Sequence, residues 1–308
     1  MKLAIKTCTL DLPFPAMLDF CVEQGVSAVE IGTGNWSSAP HIDLDSMLDS
    51  EAHRNAWMEE LRKRDLTLCA LNCSGNPLAY ETEMEVTLKT FRLAELLGVK
   101  TIVMMSGLPA GCPGDRTPTW ITTSWPPETQ AILDYQWNEV AIPVWQKLVQ
   151  TAADHGIEKL ALENHGMQLV YNPETLFRLR DAVGPMVGMN LDPSHLFWMG
   201  GDPMEAARVL GERNALYYVH GKDSRPERRM FGPNGMLDTK PIDAFQDRSW
   251  NYVAVGAGHG LQWWQEFFSV CRMSGYDGIV SLEMEDLTLP MLEGHLSSLR
   301  TLKDALVL

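Results

Sequence analysis

Three consecutive segments, Lys159-Leu-Ala-Leu-Glu163, Pro173-Glu-Thr-Leu-Phe-Arg-Leu-Arg-Asp-Ala-Val183 and Val187-Gly-Met-Asn-Leu-Asp192, decide how this chain is read. The first and third are short apolar runs that end on an acid, and such runs suit strands buried on both faces. The middle segment is longer and amphipathic, as a helix lying on a sheet must be. Gly184 follows it and supplies the left-handed residue with which a helix stops before a turn. A strand, a covering helix and a second strand make one βα unit, whose strands run parallel.

The same alternation extends in both directions. Strands are expected at Leu3–Thr9, Ala28–Gly32, Thr67–Asn72, Thr101–Met105, Lys159–Asn164, Val187–Asp192, Leu216–His220 and Gly278–Glu283. Between them lie the helical stretches Pro15–Gln24, Ala52–Arg64, Glu85–Leu97, Val140–His155, Pro173–Val183, Pro203–Arg213 and Leu261–Met273, with Met291–Leu306 as the closing helix. Gly25, Gly98, Gly156 and Gly275 repeat the stop signal of Gly184. About eight strands is the number at which a parallel sheet closes with its interior filled by side chains, so the expected fold is one (β/α)₈ TIM barrel over residues 1–308. Two strand-to-helix connections are long, Ser106–Leu133 and roughly Gly221–Gly260, and loops of that length commonly carry function. They hold Trp120, Trp125, Trp250 and Tyr252, flat surfaces suited to a sugar ring or an aromatic group, or to packing the loop onto the barrel.

Composition narrows the function. A net charge of −15 repels phosphate backbones and anionic lipid, so neither nucleic acid nor a membrane is an expected partner. The six cysteines are scattered, several within apolar patterns, and read as reduced thiols. The segment Met1–Thr9 has no basic start followed by a long apolar run, and no stretch of about 18 apolar residues occurs, so a cytoplasmic location is expected.

Four candidate metal ligands stand at the ends of the last four expected barrel strands: Glu163, Asp192, His220 and Glu283. Barrel enzymes keep their sites at those ends. One such acid alone is explained by capping the next helix. Four at equivalent places on adjacent strands are not, because the three carboxylates would repel one another strongly without a cation. One divalent ion resolves the conflict. The mainly oxygen-donor set favours Mn²⁺, the expected ion, or Mg²⁺, and leaves Co²⁺, Zn²⁺ and Fe²⁺ open.

On Glu163, Asp192-Pro-Ser-His195, His220-Gly-Lys-Asp223 and Gly275-Tyr-Asp-Gly278 leading to Ser281-Leu-Glu283, the chain resembles the xylose-isomerase-like sugar phosphate isomerases and epimerases over nearly its whole length. The resemblance implies an isomerase or epimerase that works on a ketose or keto-sugar through a cis-enediolate. It makes Glu163 and Glu283 both metal ligands and proton shuttles, and His195 and Glu30 substrate-binding residues. It places an arginine near Arg225, one residue out of register, with Lys222 as the competing cation. Trp120 is a candidate substrate platform, and a homo-oligomer is implied. His165, two residues past Glu163, together with Ser281-Leu-Glu-Met-Glu-Asp286, resembles the large subunits of bacterial C-glycoside deglycosidases. That subgroup implies a lyase, with His165 as the base of a β-elimination from a 3-keto glycoside and a small second subunit as partner. A third reading is a sugar-binding barrel without catalysis, since one fold serves many functions. An endonuclease would need a basic groove and more metal ligands, and neither is evident.

Overall fold

The computed structural model describes residues 1–306. Its strands are β1 Lys2–Lys6, β2 Ala28–Gly32, β3 Thr67–Asn72, β4 Thr101–Met104, β5 Lys159–Glu163, β6 Val187–Leu191, β7 Leu216–Gly221, β8 Asp223–Pro226, β9 Trp250–Val253 and β10 Ile279–Leu282. The helices are α1 Phe14–Glu23, α2 Leu44–Asp49, α3 Glu51–Arg62, α4 Glu81–Leu97, α5 Glu128–Asp134, α6 Ile142–Asp154, α7 Pro173–Val183, α8 Pro193–Met199, α9 Pro203–Glu212, α10 Arg228–Asn234, α11 Leu261–Met273 and α12 Met291–Leu306. Eight strands close a parallel barrel in the order β1-β10-β7-β6-β5-β4-β3-β2. The TIM barrel expected from the alternation is therefore the fold. Among the described residues no helix is long and apolar enough to cross a membrane.

The chain falls into two compact units, one of Met1–Glu30, Trp57–Cys69 and Asn190–Leu308, the other of Ile31–Ala56 and Ala70–Met189. The division falls inside β2, α3, β3 and β6. In the first unit α11 packs on α9 and α12, burying Leu210, Phe267, Phe268, Cys271, Leu299 and Leu302. The approach is close at Gly211, where a β-carbon would come within 2.5 Å of the Ser274 carbonyl oxygen. In the second unit α6 packs on α7, with Trp145, Leu148, Leu176 and Leu179 buried, and the Trp145 indole donates to the Ser106 carbonyl at 2.9 Å.

All five stop glycines have positive φ, from 61° at Gly25 to 101° at Gly184. Several boundaries move. The first strand ends at Lys6, because Thr7–Thr9 turn into a short 3₁₀ segment. The connection expected to be irregular over Ser106–Leu133 becomes helical at Glu128, and α5 runs into a π-helix, Tyr135–Ala141, ahead of α6. The stretch after β7 holds an antiparallel pair, β8 and β9, and the short α10. α2 and α8 are too short to leave a helical period in the sequence. α8 is fixed instead by Pro193 in its first turn and by Asp192, whose side chain accepts the Ser194 N–H at 2.8 Å.

Candidate metal centre

The four candidate ligands stand where strands end: Glu163 closes β5, Asp192 follows β6, His220 is the penultimate residue of β7, and Glu283 follows β10. All four are at most 3% exposed. Within the first unit, donor atoms of Asp192, His220 and Glu283 lie within 4.8 Å of one another. His220 is the pivot. Its Nδ1 is 2.8 Å from Glu283 Oε2 and 3.9 Å from Asp192 Oδ2, with the Asn190 amide nitrogen at 3.1 Å. Its Nε2 is turned the other way, 3.3 Å from both oxygens of Glu30.

Glu30, which the resemblance makes a substrate-binding residue, has His220 as a partner in the structure. It is fully buried on the imidazole of His220. Burial pushes its carboxyl up, but His220 and Lys6 outweigh that and hold it below the ordinary range. A carboxylate that accepts from one ring nitrogen fixes the other as a ligand atom, the usual companion of a metal-binding histidine. Glu30→Gln, which keeps the shape and loses the charge, is expected to lower affinity for Mn²⁺ by about 10- to 100-fold. Calorimetric titration with Mn²⁺ checks it; unchanged affinity would leave Glu30 a packing residue.

Two buried cations converge on Glu283: Lys6 Nζ at 2.9 Å and Lys222 Nζ at 3.1 Å, both on Oε1. Lys222 also reaches Glu285 at 2.7 Å and sits 4.5 Å from the ring centre of Tyr252. Burial opposes the charge of Glu283, yet Lys222, Lys6 and His220 hold its carboxyl well below the ordinary range. The same carboxylates keep Lys222 protonated against its burial. Arg225 takes no part in this cluster. It alternates on β8 with Ser224, whose hydroxyl donates to the Ser194 carbonyl at 2.8 Å, and its exposed guanidinium pairs with Glu227 at 2.8 Å. The cations beside the candidate ligands are Lys222 and Lys6. No local pattern marks Lys6, since the strand expected over Leu3–Thr9 gives no sign of ending there.

His195 is fully buried between Asp192 Oδ2, 3.4 Å from Nε2, and the Tyr252 hydroxyl, 3.2 Å from Nδ1. Trp250 is packing: it stacks on Trp198 at 5.1 Å, and Arg248 covers it at 4.7 Å. Trp125 is largely exposed. In the second unit, Glu163 and His165 have donor atoms within 4.8 Å of each other, and the half-buried His165 ring meets Trp36 edge-on at 6.3 Å. Trp120, also half-buried, meets Tyr171 edge-on at 5.7 Å.

The chain is 56% identical to an uncharacterized protein YfiH of Bacillus subtilis (strain 168), over 99% of each chain. Among solved structures, an IOLI protein with a binding zinc atom aligns with a TM-score of 0.67 at 19% identity, covering 99% of this chain and 98% of that one. D-psicose 3-epimerase with D-tagatose, from Clostridium cellulolyticum H10, aligns with a TM-score of 0.62 at 14% identity, covering 100% and 97%. Likeness at those identities speaks to fold alone. Residues 18–305 match the family pattern itself, and the chain belongs to the xylose isomerase-like TIM barrel family.

Proposed function

We propose that this protein is a divalent-metal-dependent isomerase or epimerase of a ketose or keto-sugar. The observation that carries the reading is the convergence of Asp192, Glu283 and His220 Nδ1 at buried strand ends, with His220 Nε2 secured by Glu30. Oxygen donors with one imidazole fit a hard or borderline divalent ion such as Mn²⁺ or Mg²⁺, with Co²⁺, Zn²⁺ and Fe²⁺ also compatible. Glu163 is assigned as the fourth donor, from β5, which neighbours β6 in the barrel order. The zinc named for the IOLI protein and the sugar named for the epimerase lend support.

When bound, such an ion polarises a carbonyl and so acidifies the C–H bond beside it. Glu163 is assigned as the base that takes this proton on a carboxylate oxygen. Glu283 is the poorer base, since two lysines and a histidine stabilise its ionised form. Its part is to hold the metal and take up a proton only in passing. His195 is assigned to a substrate oxygen.

His165 favours a second reading, a lyase. A histidine beside Glu163 supplies a base that isomerisation by two carboxylates does not require, and its half-exposed ring suits it to β-elimination from a 3-keto glycoside. Proton NMR in deuterium oxide tests both readings. Mn²⁺-loaded protein given free ketoses is expected to place deuterium on the carbon next to the carbonyl. Release of an aglycone from 3-keto glucosides would favour the lyase, and turnover without exchange or loss at that carbon would defeat proton abstraction altogether.

A further inference from the structure

The His220 ring gathers three buried acids, Glu30 at 3.3 Å, Asp192 at 3.9 Å and Glu283 at 2.8 Å, none more than 3% exposed. Carboxylates packed round one imidazole repel one another strongly where water is excluded. The chain itself answers most of that repulsion. Lys6 and Lys222, at most 5% exposed, both set their ammonium groups on Glu283 Oε1, at 2.9 and 3.1 Å. Oε2 is then the oxygen that turns to His220 Nδ1. Lys222 is held on two further sides, by Glu285 at 2.7 Å and by the Tyr252 ring at 4.5 Å, so it is fixed in place.

A divalent ion entering this cluster is attracted by the acids and repelled by the two ammonium groups beside Glu283. Salt screens buried charges little, so the repulsion persists at any ordinary ionic strength. Acids alone would hold an ion more tightly, but would push one another apart without it. The lysines reverse both effects. We propose that Lys6 and Lys222 are a built-in counter-charge, which keeps the acids together whether or not an ion is bound and holds the affinity for a divalent ion down, so that the ion exchanges readily. This rests on the reading of Asp192, His220 and Glu283 as ligands. If the lysines merely held Glu283 in place, the sign would differ, because their loss would then weaken metal binding.

Calorimetric titration of metal-free protein with Mn²⁺ tests the proposal. Methionine keeps most of the lysine stem and removes the charge. Lys6→Met and Lys222→Met are each expected to bind Mn²⁺ about tenfold more tightly than the unaltered protein. Without metal each should melt lower, since Glu283 has lost one of its two cations, and Mn²⁺ should raise the melting temperature further than it does in the unaltered protein. Release of Mn²⁺ from loaded protein to excess chelator, which needs no stable metal-free variant, should slow about tenfold in step. Equal or weaker binding in either variant, or release that is unchanged or faster, would overturn the proposal. So would an absence of Mn²⁺ binding in the unaltered protein and both variants alike, which would remove the metal centre with it. The expected affinities without proton exchange on ketoses would support the proposal and count against the isomerase alone.

Discussion

Asp192→Ala is expected to strip the protein of its divalent ion and to abolish metal-dependent turnover with it. Asp192 has two jobs. Its Oδ1 caps α8 through the Ser194 N–H, and its Oδ2 faces His220 Nδ1 at 3.9 Å and His195 at 3.4 Å. Alanine removes both, and loss of the cap alone costs about 1 kcal/mol. Asp192→Asn separates them, because its amide oxygen still caps the helix while the negative charge is gone. The asparagine variant should therefore fold with an unchanged melting temperature, yet lose metal affinity by more than about 100-fold, beyond the range of an outer partner such as Glu30. Elemental analysis of protein purified with excess Mn²⁺ reads this directly. If Asp192→Ala kept full occupancy and metal-dependent activity, the assigned ligand set would be wrong.

What the sequence could reveal follows from which interactions are local. Strand ends are local: the apolar run before Glu163, or before Asp192, reports both the strand and the place where it stops. The residues that surround a ligand come from distant segments. Glu30 and His220 are 190 positions apart and meet only because β2 and β7 lie in one closed sheet. No pattern near Glu30 could show that it meets a histidine. The same holds for Lys6, 277 residues from Glu283. Spacing from His220 could not show where the Arg225 side chain stands, because β8 begins at Asp223 and turns alternate side chains to opposite faces. The π-helix leaves no signal of its own, because the periodicity over Val140–His155 comes mostly from the regular α6 that follows it.

Glu163→Gln is expected to suppress deuterium incorporation into a ketose by about 10²- to 10⁴-fold, the range of a lost general base. Glutamine keeps an oxygen able to ligate but cannot accept the proton, so exchange should fall much further than metal content, and measuring both on one sample separates the two roles. Parallel loss of metal and exchange would reduce Glu163 to a ligand. His165→Asn completes the comparison, because the two readings assign that ring opposite weights. Under isomerisation by carboxylates it lies beside the reaction, and exchange on a free ketose should stay within a few-fold of the unaltered protein. Under elimination it is the base, and aglycone release from a 3-keto glucoside should fall by about 10²- to 10⁴-fold while metal content is unchanged. Of the two we expect the first. The deciding result is the substrate on which His165→Asn fails, since a residue that only supports the loop would slow both reactions alike.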